Sequence, residues 1–167
     1  MKKFIKDVYP YVIIIVCVLL FRIFIATPVR VDGDSMNDTL KNGQILILNK
    51  LNKQYNRFDI VVLKKNKEKL IKRIIGLPGD SIKYKDNELY INDKKIDDVS
   101  NIRTGDFDLK ELYDIDEIPD NYYFVMGDNR TNSLDSRDYR VGLIKSSEIK
   151  GTVRIRLFPF NKIGKVH

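Results

Sequence analysis

A chain of 167 residues with a formal net charge of +7 has room for one hydrophobic core and an appendage, and its supply of aliphatic and aromatic residues argues against overall disorder. Its single cysteine, Cys17, excludes an internal disulfide and a multi-cysteine zinc site, and its only histidine is the last residue, His167. Neither a buried Ser-His-Asp triad nor a His-rich metal centre can be built, so a hydrolase here must draw its base from Lys, Asp, Glu or Tyr.

The first element in chain order is an apolar span over residues 8–26, interrupted by Pro10 and Arg22. About 19 helical residues at roughly 1.5 Å each match the hydrocarbon thickness of a bilayer. Lys2, Lys3 and Lys6 precede the span, which by the positive-inside tendency keeps the N-terminus cytoplasmic. The pattern predicts a short basic cytoplasmic segment over 1–7, a single transmembrane anchor over 8–27 and an extracytoplasmic domain over 28–167. Arg22, near the helix end, can snorkel to the headgroups. A cleaved secretory signal peptide is the alternative reading. The length of the span and the absence of a small-x-small site in the flank Thr27-Pro28-Val29-Arg30 favour the anchor. The positive charge suits an anionic membrane surface. Nucleic acid would also explain it, but Lys50, Lys53, Lys64, Lys65, Lys67 and Lys69 are scattered without aromatic residues for stacking, and no nucleic-acid partner is expected.

Beyond residue 28 the periodicity favours strands. Residues 44–48 (QILIL) and 59–63 (DIVVL) are short β-type runs. Residues 81–85, 88–91 and 95–96, separated by Asp86-Asn87 and Asn92-Asp93, read as a meander with tight turns. Residues 122–126 (YYFVM) and 152–157 (TVRIRL) add two more strands. The polar, acidic stretch 99–119 reads as a mobile excursion with a short helix at best. The fold class is mainly β: a small all-β domain preceded by one transmembrane helix.

Four segments carry chemistry. In residues 28–40 (PVRVDGDSMNDTL), Ser35 follows Gly33 in a tight stretch, where a hydroxyl can project while the residue's own N–H faces the same point, as acyl transfer requires. A lone Gly-x-Ser is also an ordinary turn. Residues 59–63 read as a core strand. In residues 72–80 (KRIIGLPGD), alternation turns Lys72 to the face opposite Ile71 and Arg73. If that face is buried, the amine is pulled down from its ordinary pKa of about 10.4, at which only about one molecule in 2,500 is neutral at pH 7. Reaching 7 or 8 takes roughly 3 to 4.5 kcal/mol of desolvation. A solvated surface lysine is the plain alternative. Residues 127–137 (GDNRTNSLDSR) form a dense polar loop directly after an apolar strand, in which Asp135 and Arg137 can pair. A calcium loop is the alternative there, and the arginines argue against it.

In this order, the four segments resemble the signature boxes of the type I signal peptidases. Ser35-Met36 with Thr39-Leu40 matches the nucleophile box, residues 59–63 the strand box, Lys72-Arg73 through Gly79-Asp80 the lysine box, and 127–130 with Ser133 and 135–137 the last box. The resemblance runs from the anchor to about residue 160, and the small size is similar to that of the Gram-positive members. It implies a signal-peptidase-like catalytic domain that removes signal peptides from exported preproteins at the outer face of the cytoplasmic membrane. Ser35 would be the nucleophile, Lys72 its general base and Ser133 the group orienting Lys72. The Ser35 N–H, beside Gly33, would form the oxyanion region, and Arg73 with Asp128 and Asp135 with Arg137 would be structural supports. No metal or organic cofactor is implied. The partners implied are secretory preproteins and membrane lipids, and the chain would act as a monomer. Two departures stand out. Asp38 replaces the family's usual proline, implying a looser turn after the nucleophile, and Gly33 stands where some members have a hydroxyl residue, leaving the second oxyanion donor unassigned. A self-cleaving Ser/Lys repressor would need an upstream helix-turn-helix where this sequence has its apolar span. A silent membrane-tethered binding module would have no need of both Ser35 and Lys72.

Overall fold

The computed structural model describes residues 2–65 and 68–166, with side chains from residue 8 onward, so the basic segment expected over 1–7 and His167 lie outside the described side chains. A helix, α1 (Lys2–Phe24), leads into strands β1 (Ala26–Arg30), β2 (Ile45–Asn49), β3 (Ile60–Lys65), β4 (Glu68–Gly76), β5 (Ile82–Lys85), β6 (Glu88–Ile91), β7 (Lys94–Ile96) and β8 (Phe107–Asp108). A one-turn helix, α2 (Leu109–Tyr113), precedes β9 (Tyr122–Met126), β10 (Ile144–Lys145), β11 (Ile149–Phe158) and β12 (Gly164–Lys165).

From Val8 to Phe24 every side chain of α1 is exposed, on all faces of the helix, so its apolar residues find no core to cover them. Among the described residues no helix is long and apolar enough to cross a membrane, the described side chains of α1 beginning only at Val8. The helix ends at Phe24 rather than at 27, and Ala26 and Thr27 open β1. Pro28 disfavours helical backbone at Thr27. The Lys50 amine, from the residue just after β2, donates to the carbonyls of Arg22 and Ile23, each at 3.0 Å, and so caps carbonyls that have no partner within the helix.

The strands form two antiparallel sheets. The larger runs β1-β2-β11-β3-β4-β9-β10, with β12 beside β11, and the smaller runs β7-β6-β5-β8. β11 pairs with β3 through its first half and with β2 along most of its length, with register shifts that bend it. The smaller sheet packs against the end of β9, where Ile82, Tyr84, Leu89 and Phe107 meet Phe124 and Met126. Residues 99–119 are no free excursion. Thr104, Phe107, Leu109 and Ile118 are buried, and α2 is capped by Asp108, which accepts from the Glu111 N–H. Apolar residues widely spaced among acidic ones conceal this anchoring in a local reading.

Two strand edges matter for the site. β4 pairs with β3 from Glu68 to Arg73, but it meets β9 only from Arg73 onward. β1 pairs with β2 alone. The β4 edge over 68–71 and the outer edge of β1 are therefore left without a strand partner among the described residues.

Candidate active site

β9 leaves the sheet at Met126, and the polar loop that follows crosses over the middle of β4. Lys72 and Arg73 point to opposite faces of β4, yet both are almost fully buried, at 2% and 1% exposure. A two-faced strand inside a sheet normally carries apolar residues on both sides, so each charge here needs its own compensation.

Arg73 has it in full. Its guanidinium makes a bidentate pair with Asp128 at 2.8 and 2.7 Å, and it donates to the Phe58 carbonyl at 2.8 Å and the Thr39 hydroxyl at 3.3 Å. One side chain thus ties β4 to the loop after β9 and to the turn that carries Ser35, with the geometry in which buried ion pairs are tolerated.

Lys72 has less. Its amine donates to Ser133 Oγ at 3.1 Å. Burial pulls the amine from 10.5 down to about 8; Asp135 and Asp128 push it up, while Arg137 adds to the lowering. Burial also pushes the Asp135 carboxyl up, but Arg137 and the Gly127 N–H more than offset this and hold it below its ordinary value. Asp135, with no measurable exposure, is clamped by Arg137 and so fixes the loop that carries Ser133.

The Ser35 turn is locked against the same loop. The Ser35 carbonyl accepts from the Asn129 N–H at 3.0 Å, and the Asn129 side chain donates to the Asp34 carbonyl at 3.1 Å. Gly127 lies between the two serines. A Cβ on it would strike both Ser133 Oγ and the Ser35 carbonyl oxygen, so close approach of the backbones requires glycine here. The Ser35 N–H has no protein acceptor among the described residues. Lys72, Ser133 and the Ser35 backbone therefore converge around Gly127, with Asp135 and Arg137 behind Ser133 and Arg73 with Asp128 on the other face of β4. Gly33 takes a positive φ of 92° in open space and sets the entry to the turn.

The turn itself is not loose. Asn37 N–H bonds the Asp34 carbonyl, Thr39 and Leu40 N–H both bond the Met36 carbonyl, and Met36 and Leu40 are buried. Asp38 sits at φ 117°, far from the value near −65° that a proline ring imposes. The usual proline would not fit this backbone, which explains its replacement by a residue type that tolerates positive φ.

Several supporting residues escaped the sequence reading. Asn129 holds the Ser35 carbonyl, and Ser136 donates to the Gly142 carbonyl while accepting from the Val125 N–H. Arg130 is buried against Asp98, Tyr84 and Thr104, and Ser100 donates to the Asp128 carbonyl. These bonds pin the loop to residues 98–104, some 30 positions earlier in the chain, and no local pattern announces such a contact. Among the described residues no group of three or more His, Cys, Asp or Glu side chains is placed to hold a metal ion.

A groove of about 860 Å³ leads to Ser35. One wall comes from Val29 to Gly33 and the other from Glu68 to Ile71, so both unpaired strand edges face it. Such a cleft can take an extended peptide between two sets of free backbone groups. A serine hydroxyl and an unoccupied backbone N–H at the end of that cleft, with a buried amine of lowered pKa on the next residue of β4 after Ile71, form a chemical set suited to acyl transfer.

The family model described as signal peptidase, peptidase S26, matches residues 2–158. The chain is 43% identical to signal peptidase I S of Bacillus subtilis (strain 168), over 93% of this chain and 90% of that protein. It is 39% identical to signal peptidase I of Bacillus caldolyticus, over 92% and 91%. The crystal structure of a signal peptidase I from Enterococcus faecalis V583 superimposes with a TM-score of 0.54 at 34% identity, covering 59% of this chain and 96% of that one.

Proposed function

Because the chain belongs to the signal peptidase family, peptidase S26, we propose that it removes signal peptides from preproteins as a serine protease in which Lys72 is the general base for Ser35. The observation that carries the assignment of the base is the burial of Lys72, which pulls its amine to about 8, together with its bond to Ser133 at 3.1 Å. A neutral amine has two N–H groups and one lone pair. Donation of an N–H to Ser133 restricts its rotation and leaves the lone pair for the Ser35 proton.

The preprotein segment lies extended in the groove between the edges of β1 and β4. Ser35 Oγ attacks the scissile carbonyl as its proton passes to Lys72, and the Ser35 N–H, together with a second donor, receives the developing oxyanion. Lys72 then protonates the leaving amine. It next takes a proton from the water that hydrolyses the ester, so one amine serves both half-reactions. Asp128 with Arg73, and Asp135 with Arg137, hold the two faces of the site in register. The exposed apolar α1 serves as the anchor, its N-terminal end cytoplasmic and the catalytic domain outside, which brings the groove to the membrane surface where signal peptides emerge. A silent binding module would gain nothing from a lysine buried at the cost that Lys72 carries.

Incubating the full chain in neutral detergent with a preprotein is expected to give one cut near the substrate's N-terminus, after a small residue, found by mass spectrometry. An uncut preprotein, or cuts spread along it, would refute the assignment.

A further inference from the structure

A second hollow, of about 680 Å³, opens at the foot of α1. Phe24, Pro28, Leu48 and Val62 give it apolar walls, and five cations line it as well: Arg30, Lys50, Lys53, Lys69 and Lys150. They come from β1, β4, β11 and the segment after β2. No carboxylate lines the hollow. None of the five forms an ion pair with a carboxylate among the described residues. The bonds made by Lys50 and Lys150 go to neutral carbonyls, so their charge is left uncompensated. Five like charges around one cavity repel one another, and an anion seated among them relieves that repulsion. The apolar walls call for an occupant that is not purely ionic, and the helix beside the hollow is apolar and exposed on every face.

We propose that this hollow seats the headgroup of an anionic membrane lipid, its phosphate among the lysines and its first acyl carbons against Phe24 and Leu48. The proposal rests on the reading of α1 as a membrane anchor, which would put the hollow at headgroup depth, where each cation near an anionic surface adds to binding. The hollow shares Val29, Arg30, Val62 and Lys69 with the groove that leads to Ser35. A bound lipid therefore forms one end of the substrate channel and steadies the edge of β1 against which the peptide lies.

The test titrates the full chain, in neutral detergent, with short-chain dihexanoyl phosphatidylglycerol, with dihexanoyl phosphatidylcholine and with glycerol phosphate, followed by calorimetry. Phosphatidylglycerol is expected to bind at least tenfold more tightly than either of the others and to weaken as salt is raised. The double variant Lys53→Gln/Lys150→Gln avoids both the cap on α1 and the substrate groove. It is expected to lose at least tenfold in that affinity while cleaving a soluble peptide at the wild-type rate in detergent with no lipid added. Equal binding of the two lipids, binding of glycerol phosphate as tight as that of the lipid, or unchanged affinity in the double variant would overturn the proposal. Retention on phosphatidylcholine vesicles after an alkaline wash tests the anchor separately, since it does not need the five cations. A chain washed off refutes the anchor and the lipid with it. A chain retained but indifferent to headgroup charge refutes the headgroup site alone.

Discussion

Lys72→Met is expected to lower kcat/KM by at least about ten-thousand-fold, the scale seen when a member of a serine-protease catalytic unit is removed, and at the same time to make the domain more stable below pH 8. Both effects come from one buried amine. In the folded chain it titrates at about 8 against an ordinary 10.5. Between those values the unfolded chain holds a proton that the folded chain has released, so wild-type stability rises with pH across this window. Below about pH 8 the fold carries the full cost of a desolvated cation, on the order of 3 kcal/mol. Methionine matches the length of the lysine stem without the charge, so denaturant unfolding at pH 6 should show a gain of that order. The gain should shrink towards zero above pH 10.5. Lys72→Arg separates base from charge: it should be equally inactive, because a guanidinium keeps its proton, but less stable than the methionine variant. Loss of activity accompanied by loss of stability in Lys72→Met would mean that the lysine is a structural part of β4.

Ser35→Ala is expected to reduce kcat/KM by a similar factor, and the double variant Ser35→Ala/Lys72→Met should be no slower than either single one. A nucleophile and its base act as a unit, so removing the second member costs nothing once the first is gone. Ser35 is only partly buried, and its carbonyl bond to Asn129 does not depend on the hydroxyl, so the alanine variant should keep wild-type stability. Additive losses in the double variant would show that the two residues act in separate steps.

Legibility in the sequence differed between fold and site. Alternation and turn residues located β5, β6 and β7 to within a residue, and a short apolar run between Asn121 and Gly127 located β9, because each is a local run bounded by Asn, Asp or Gly. β1 went unread because Ala26 and Thr27 merge with the apolar run before them. β8, β10 and β12 are two-residue ladders defined only by what lies opposite them. β11 extends beyond its legible core because Ile149 and Lys150 join a strand that bends through register shifts. In the site, Ser35, Lys72, Ser133 and their supports stood out through the resemblance of four ordered segments. Alternation alone would have buried one of Lys72 and Arg73 and exposed the other. Burial of both depends on Asp128 arriving from 55 positions away and on the polar loop covering β4. Gly127, Asn129 and Arg130 fall within the segment that carries the resemblance, but what they do, and the pairing of Arg130 with Asp98, was unreadable for the same reason: their work is done across the chain, in contacts that leave no periodic trace.

The most direct measurement is the titration of the Lys72 side chain by NMR in the full chain labelled at the lysine ε-carbon, its resonance identified by its loss in Lys72→Met. An inflection near pH 8, matched by a rise of kcat/KM through the same pH, is the expected result. An amine that stays protonated to its ordinary 10.5 while cleavage proceeds at pH 7 would contradict it.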